Sequence, residues 1–592
     1  MTKQPPRQLS PIASEIIQHA LLAIPKQIEA NIARTAFSPL VYAYKDYAVG
    51  LVDCEGRLIC ESQGGIPLFV ANALGPGVRD GIAIHGLENI RHGDVFISNH
   101  AGTLGQHLNN VVMYTPVFLG SGELIGFMAV LMHWVDIGGM VIGSAASVGT
   151  TEIYQEGIQF RSVKLWSAGK PNDDIVRIIE INTRFKHMLM GDIQSQLAGC
   201  LLGRDLFAAM IAKYTWEDVR STIDLMWKRS EEKTRAAIRT IADGTYSAES
   251  FLDNDGYELD KPVRIHACVT VKGDEMVVDF SGCAEQVKGS INSGREGGAV
   301  TAARIALNLL IGAHDACNDG TFRPLRVEIP NGKFISANGE AAMSMYSPPL
   351  ATVIDTVLKA LEKAAPELIA GGHHGNFNMN QFMGRHPKTG ELFQTAGSGG
   401  IGGWGASRGH DGPGPYKTMA HGDTWALPVE QEEALYPVRV ESYAVRPDSG
   451  GAGEFRGGLG YEKVISALAD CKVQTNFDRT ISPPWGILGG QDGATPSVTI
   501  ESDGKEPRLA MKVIAPIATG ERLRTRTSGG GGYGSPLDRE PGRVARDVCM
   551  GYVTVAAASD VYGVVLDAVG GVDAKKTAAR RESLRDKQGA AA

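Results

Sequence analysis

The clearest periodic signal in the chain comes near its start. Ile12, Ile16, Ala20, Ile24, Ile28 and Ile32 recur every four residues, which places them along one side of a helix. Ser10-Pro11 supplies a cap residue followed by proline at the first helical position. Pro25 falls inside the pattern, so a kink is expected there. A second helix is signalled at Thr215, with Glu217 and Asp218 in its first turn; it can run to Ala242, where Asp243-Gly244 stops it. Two further apolar helical patterns cover about 298–311 and 350–364.

Alternation of period two marks the strands. Val263, Ile265, Ala267, Val269 and Val271 alternate with polar neighbours, and Lys272-Gly273-Asp274 turns the chain into 276–280, a hairpin. Residues 94–99, 111–118 and 124–132 read as three successive strands joined by Gly-rich links. After 436 the chain is mostly short strands and turns until helical patterns at 542–567, and the charged tail 574–592 reads as an exposed helix or frayed end. The fold class expected is mixed α/β (α+β) with several subdomains, Gly-rich, and β-rich in its C-terminal part. Boundaries are placed near 245 and 435, giving regions 1–245, 246–435 and 436–592.

Composition sharpens this only in places. Glycine is in excess, 73 of 592 residues or about 12% against roughly 7% typical, clustered at 396–414, 449–460 and 529–534. Clustering of this kind points to tight turns and close backbone approaches. A net charge of −8 without a basic stripe argues against nucleic acid. No apolar run is long enough for a membrane span, and the start MTKQPPRQLS has no signal-peptide core. The eight cysteines form no CxxC pair, so reduced thiols in a cytoplasmic protein are expected.

Candidate chemistry concentrates on the three successive strands. His100 follows the first; His107 and Asn110 precede the second; His133 and Asp136 close the third. Adjacent strand ends converge, and imidazole with carboxylate suits Zn²⁺, Mn²⁺ or Fe²⁺. Three protein ligands and one open position would make a hydrolytic site in which the metal lowers the pKa of its water. Spacing alone leaves open that these are ordinary hydrogen-bonded strand-end groups. Asp46, ahead of the apolar stretch 48–52, is a further ligand or base, or a turn residue. Glu152 and Glu156 in TEIYQEG face a pocket or solvent. The GxGxxG matches at Gly400 and Gly529, and the GxSxG match at Gly405, lack the strand–turn–helix context those motifs need. No phosphate-binding GxxxxGK[ST] occurs. Gly371–Asn376, GGHHGN, is a glycine-lined polar turn that suits either a ligand or a crossing of two strands.

The segment SNHAGTLGQHLNNVVMYTPVFLGSGELIGF followed by MHWVDIGG resembles the hydantoinase B/oxoprolinase family's NDP, HLPD-like box, TPVF–GELVGF hairpin and HHADIGG. TEIYQEGI, INSGREGG, NDGTFRPLRVEIP, YPVRVESYAVRPDSGGAGEFRGGLG, PPWGILGG and TSGGGGYGSPLDREP are similar to later family blocks in the same order, so the resemblance spans about 10–567. It implies a B-type subunit of a hetero-oligomer whose A-type partner binds ATP and Mg and activates a small cyclic amide: a hydantoin, 5-oxoproline or a lactam. It implies a divalent transition metal on this chain, with family ligands matching Asp46, His107 and His133. The final Asp of HLPD falls on Asn110 and the Asp of NDP on His100, so Asn110 and His100 enter the ligand set as exchanged residues. Asp136 or Glu156 is then an orienting group or base. Two other readings stay open: a subunit of an ATP-dependent ketone carboxylase, and a non-catalytic scaffold for the partner.

Overall fold

The computed structural model describes residues 9–144, 147–312, 316–395, 399–422 and 424–591. Its first sheet contains all three expected strands. β1 (Tyr47–Val52), β2 (Leu58–Glu61), β3 (Val95–Ser98), β4 (Asn110–Phe118), β5 (Leu124–His133), β6 (Val163–Ser167) and β7 (Lys170–Pro171) form an antiparallel sheet in the order β2-β1-β5-β4-β3-β6-β7. β4 and β5 are buried almost end to end because helices cover both faces. Leu74–His85 lies on the face bearing Val112 and Tyr114, with Gly77 and Gly81 at the contact. Lys186–Tyr214 lies on the other, with Gly203 against Met128.

The first helix, α1 (Pro11–Thr35), is capped as expected by Ser10, whose hydroxyl accepts from Ala13 N at 3.2 Å, and it continues through Pro25. Its buried face differs from the expectation at the start: Ile17, Leu21, Ile24, Ile28 and Ile32 face inward, whereas Ile12 and Ile16 are 75% and 50% exposed. A four-residue step overshoots one helical turn by about 40°, so a strict spacing of four drifts off the core within a few steps. The helix capped by Thr215 ends at Ile238, short of the expected Ala242, and Gly244 opens a strand. The long helix 186–214 has no counterpart among the elements expected from periodicity.

β8 (Gly244–Leu252), β9 (Val263–Lys272), β10 (Glu275–Asp279) and β11 (Leu325–Glu328) form the second sheet; β9 and β10 are the expected hairpin. Helices Thr301–Leu310 and Ser347–Ala360 match the two central apolar patterns, and the latter packs on β8 and β9. The C-terminal part is built from short antiparallel strands. One of its sheets pairs Met379–Arg385 with Cys471–Asn476, joining segments on either side of residue 435. The helices there are Pro541–Cys549, Val555–Asp560 and Ala574–Ala591.

The glycine clusters are backbone crossings. A Cβ on Gly530 would lie 1.9 Å from the Trp404 carbonyl oxygen, and one on Gly531 would lie 1.8 Å from that of Trp485. Main chain here packs directly on main chain, which only glycine permits. The fold is mixed α/β with several sheets and a β-rich C-terminal part, as expected.

Candidate functional site

The sheet register assembles the site. Asn110 at the start of β4 pairs with His133 at the end of β5, and the His133 amide donates to the Asp46 carbonyl at 3.1 Å as β1 begins. Strand alternation then turns all three side chains to the same face. His107 sits three residues ahead of Asn110, and its Nε2 lies 2.8 Å from Asn110 Oδ1. The rings of His107 and His133 meet edge to face with centroids 5.0 Å apart. Asp46, His107 and His133 thus line one pocket of about 80 Å³. Apolar residues including Leu40, Ile66, Phe69, Met345 and Phe377 complete its wall.

Burial sets the charge state. It holds His107 down to about 4 and His133 well below the usual imidazole range, so both rings are neutral near pH 7. Burial pushes the Asp46 carboxyl up to about 8, against the pull of Lys417. Asn110 Nδ2 donates to Gln106 and Tyr346, so its Oδ1 is an acceptor and the 2.8 Å contact is a donation from His107 Nε2. Moving that proton to Nδ1, which faces the Ser344 carbonyl at 3.3 Å, would free the Nε2 lone pair for a cation. Asp46 Oδ1 and His133 Nδ1 are buried without a hydrogen-bond partner. Two neutral imidazoles and a carboxyl group that would give up its proton to an adjacent cation, with the Asn110 amide oxygen beside them, are a donor set that fits a divalent transition ion. Among the described residues, however, no three or more His, Cys, Asp or Glu side chains are already gathered to hold one.

Glu156 supports this arrangement from beneath. Its Oε1 accepts from the amides of Met343 and Ser344 at 2.6 and 2.7 Å, which fixes the carbonyl that orients His107. Burial raises the Glu156 carboxyl to about 8. Glu152 is exposed. Two expected residues are not brought to the pocket. The Asp136 carboxylate is occupied by Arg184, through its amide at 2.6 Å and Nη1 at 2.8 Å, and by the Ser144 hydroxyl at 2.8 Å. His100 caps the short turn 101–104, bonds Thr103 Oγ1 at 2.9 Å, and lies near Arg161 and Asp80. The GGHHGN turn is a buried anchor: His373 Nδ1 lies 3.3 Å from Asp355, and Asn376 donates to the Asp478 carbonyl.

Residues 10–536 match the family model for hydantoinase B/oxoprolinase. The chain belongs to the hydantoinase B/oxoprolinase family. It is 29% identical over 587 residues to the B-type subunit of a putative D-/L-hydantoinase from Pseudomonas sp. (strain NS671), covering 96% of this chain and 98% of that one. It is 27% identical over 548 residues to 5-oxoprolinase 1 of Arabidopsis thaliana, a match that spans 88% of this chain but 42% of the longer protein. The crystal structure of the ATP-dependent caprolactamase from Pseudomonas jessenii superposes with a TM-score of 0.89 at 28% identity, covering 97% of this chain and all of that chain. The family is one of ATP-dependent amide hydrolases. Among the described residues no helix is long and apolar enough to cross a membrane.

Two residues of the pocket wall, Tyr346 and His421, and Lys417, whose charge acts on Asp46, have no signal in the sequence pattern. Tyr346 accepts from Asn110 Nδ2 at 2.9 Å and packs edge-on to His107. His421 stacks on Phe377 at 4.3 Å and bonds Thr418. Lys417 reaches the Gly399 carbonyl and lies over the Tyr44 ring. All three come from segments more than 200 residues beyond β5, in irregular chain or, for Lys417, a two-residue strand, where neither periodicity nor a spacing motif singles them out.

Proposed function

We propose that this chain is the B-type subunit of a two-component, ATP-dependent cyclic amide hydrolase, opening a hydantoin, 5-oxoproline or lactam ring. The observation that carries the reading is the convergence of Asp46, His107 and His133 in one buried pocket, with Asn110 hydrogen-bonded to His107 behind its wall, in a chain of this family that has no GxxxxGK[ST] phosphate-binding motif. Ring amides are poor electrophiles. An A-type partner that uses ATP and Mg to phosphorylate the amide oxygen makes the ring carbon attackable and supplies driving force. The longer relative, in which the matching stretch is 42% of the length, leaves room for such a partner within one chain.

Asp46, His107, His133 and the Asn110 amide oxygen are the groups that would hold a zinc, manganese or iron ion. Such an ion supplies Lewis acidity and water activation. The remaining work falls to the chain. The apolar wall holds a small ring and excludes bulk water, which strengthens every polar contact made inside. Tyr346, already accepting from Asn110, has its own hydroxyl proton to give to a substrate oxygen. Glu156 fixes the Ser344 carbonyl and so the His107 ring; it is a positioning residue. Attack of water at the phosphorylated ring carbon breaks the C–N bond and leaves a linear acyl phosphate. A second water releases inorganic phosphate and leaves a carboxylate, beside an amine from a lactam or a ureido group from a hydantoin.

The test is to co-purify the chain with an A-type partner and assay hydantoins, 5-oxoproline and lactams with and without ATP. Ring opening that needs both subunits and ATP is expected. Turnover by this chain alone, or incorporation of labelled bicarbonate in place of ring opening, would contradict the reading.

A further inference from the structure

A second cavity, about 900 Å³, lies on the opposite face of β1 from the pocket described above. The chain ahead of β1 alternates between the two: Tyr44 and Asp46 line the first, Lys45 and Tyr47 the second. The other walls of the second cavity are α1, the helix Trp216–Ile238 and the turn after β2. Its volume falls in the range that takes a small molecule whole.

Its lining is unlike a solvent-filled cleft. Tyr47, Glu61 and Ser62 are 0%, 3% and 1% exposed, yet Tyr47 Oη, Glu61 Oε2 and Ser62 Oγ have no hydrogen-bond partner. Buried polar atoms without partners are costly, on the order of 1–3 kcal/mol each, so three at one cavity mark a place where a ligand completes them. Two of the three are hydroxyls, and burial raises the Glu61 carboxyl well above its usual range, which leaves a proton to donate there too. Four cationic side chains, Lys26, Lys45, Arg229 and Lys233, line the cavity against the carboxyl groups of Glu29 and Glu61, with Arg229 paired to Glu15 and Lys45 over the Trp425 ring. This leaves a local excess of positive charge in a protein whose net charge is −8. Donors inside and cations around them complement an oxyanion.

We propose that this cavity is a second ligand site, taking a small molecule with a carboxylate or phosphate end bound by the Tyr47 and Ser62 hydroxyls and balanced by Lys26. It is separate from the ring-opening pocket and independent of the reaction assigned to it.

Calorimetric titration of the full chain with inorganic phosphate and, separately, with glutarate tests it. Binding of at least one probe at one site per chain is expected; the arm that binds identifies the headgroup. Tyr47→Phe combined with Ser62→Ala should weaken it by about tenfold or more, from two lost hydrogen bonds. Lys26→Ala, a change near the mouth that does not threaten the core, should weaken it as well. His107→Ala should leave it intact. No binding of either probe overturns the proposal, as does binding that His107→Ala abolishes while Lys26→Ala leaves it unchanged.

Discussion

Asp355 is buried beside Arg479, whose Nη2 donates to its Oδ2 at 2.8 Å, and Trp485, whose Nε1 donates to the same oxygen at 2.9 Å. Burial alone would raise this carboxyl, but Arg479 and His373 outweigh it and hold it down to about 2, from 3.8. A group whose folded pKa is depressed stabilises the fold above its unfolded pKa, and that contribution disappears as pH falls through the folded value. The ion pair should therefore contribute on the order of 2 kcal/mol above about pH 4, fading between pH 4 and 2. Asp355→Asn should be less stable than wild type at pH 5, with the gap closing toward pH 2; thermal unfolding across that range measures it. A constant gap would reject the assignment. Glu156 makes a different case at the same scale. Glu156→Ala leaves two buried amides unpaired, at a cost of about 1–3 kcal/mol, and loosens His107, so stability and turnover should fall together. Glu156→Gln retains the acceptor oxygen and should restore most of both. These residues also show what the sequence made legible. His107 and His133 were readable because the ends of successive strands converge, whereas Asp46, ahead of a separate apolar stretch, was grouped with them by the family resemblance. Strand order does not say where a residue beyond a strand end points. His100 turns back on Thr103, and Asp136 is taken by Arg184 from a distant loop.

Elements were legible where one periodicity dominated: α1, the hairpin of β9 and β10, and the run β3–β5. Helix 186–214 was not, because it is apolar around most of its circumference and carries Gly191, Gly199 and Gly203. Those glycines lower helix propensity in sequence, yet in the fold they admit Phe37, Ile28 with Ile32, and Met128 at close range. Polar Gln196 in the same helix donates to the Val111 and Val130 carbonyls at 2.9 Å and accepts from Trp134 Nε1, locking helix to sheet. The glycine crossings carry the sharpest prediction at this scale. Gly531→Ala puts a methyl within 1.8 Å of a carbonyl oxygen, so the backbones must separate. Overpacking of this kind costs about 1–3 kcal/mol or more, which a denaturant midpoint should register with an unchanged slope. Gly504→Ala has nothing within 4 Å of the new methyl, and its cost comes only from a φ of +73°. It should be the milder change; equal effects would reject the crossing argument.

At the scale of the whole molecule, one hydrophobic core runs from Ile17 in α1 to Tyr533 in the last glycine cluster. That continuity is why residues as far apart as Asp46 and His421 meet in one pocket. Ordered blocks resembling the family made the family legible along nearly the whole chain. They carry no information on the shape of the pocket, whose wall is assembled from loops that no local pattern describes. The account's central claim is that the pocket at Asp46, His107 and His133 performs the hydrolytic half of an ATP-dependent reaction. The most direct measurement is ATP-dependent ring opening by the reconstituted two-subunit complex carrying His133→Ala, with assembly checked by light scattering. The complex should still form while ring opening falls by about a hundredfold or more, since loss of even a supporting residue around such a centre costs 10–100-fold. Ring opening at the wild-type rate by the assembled variant would contradict the account.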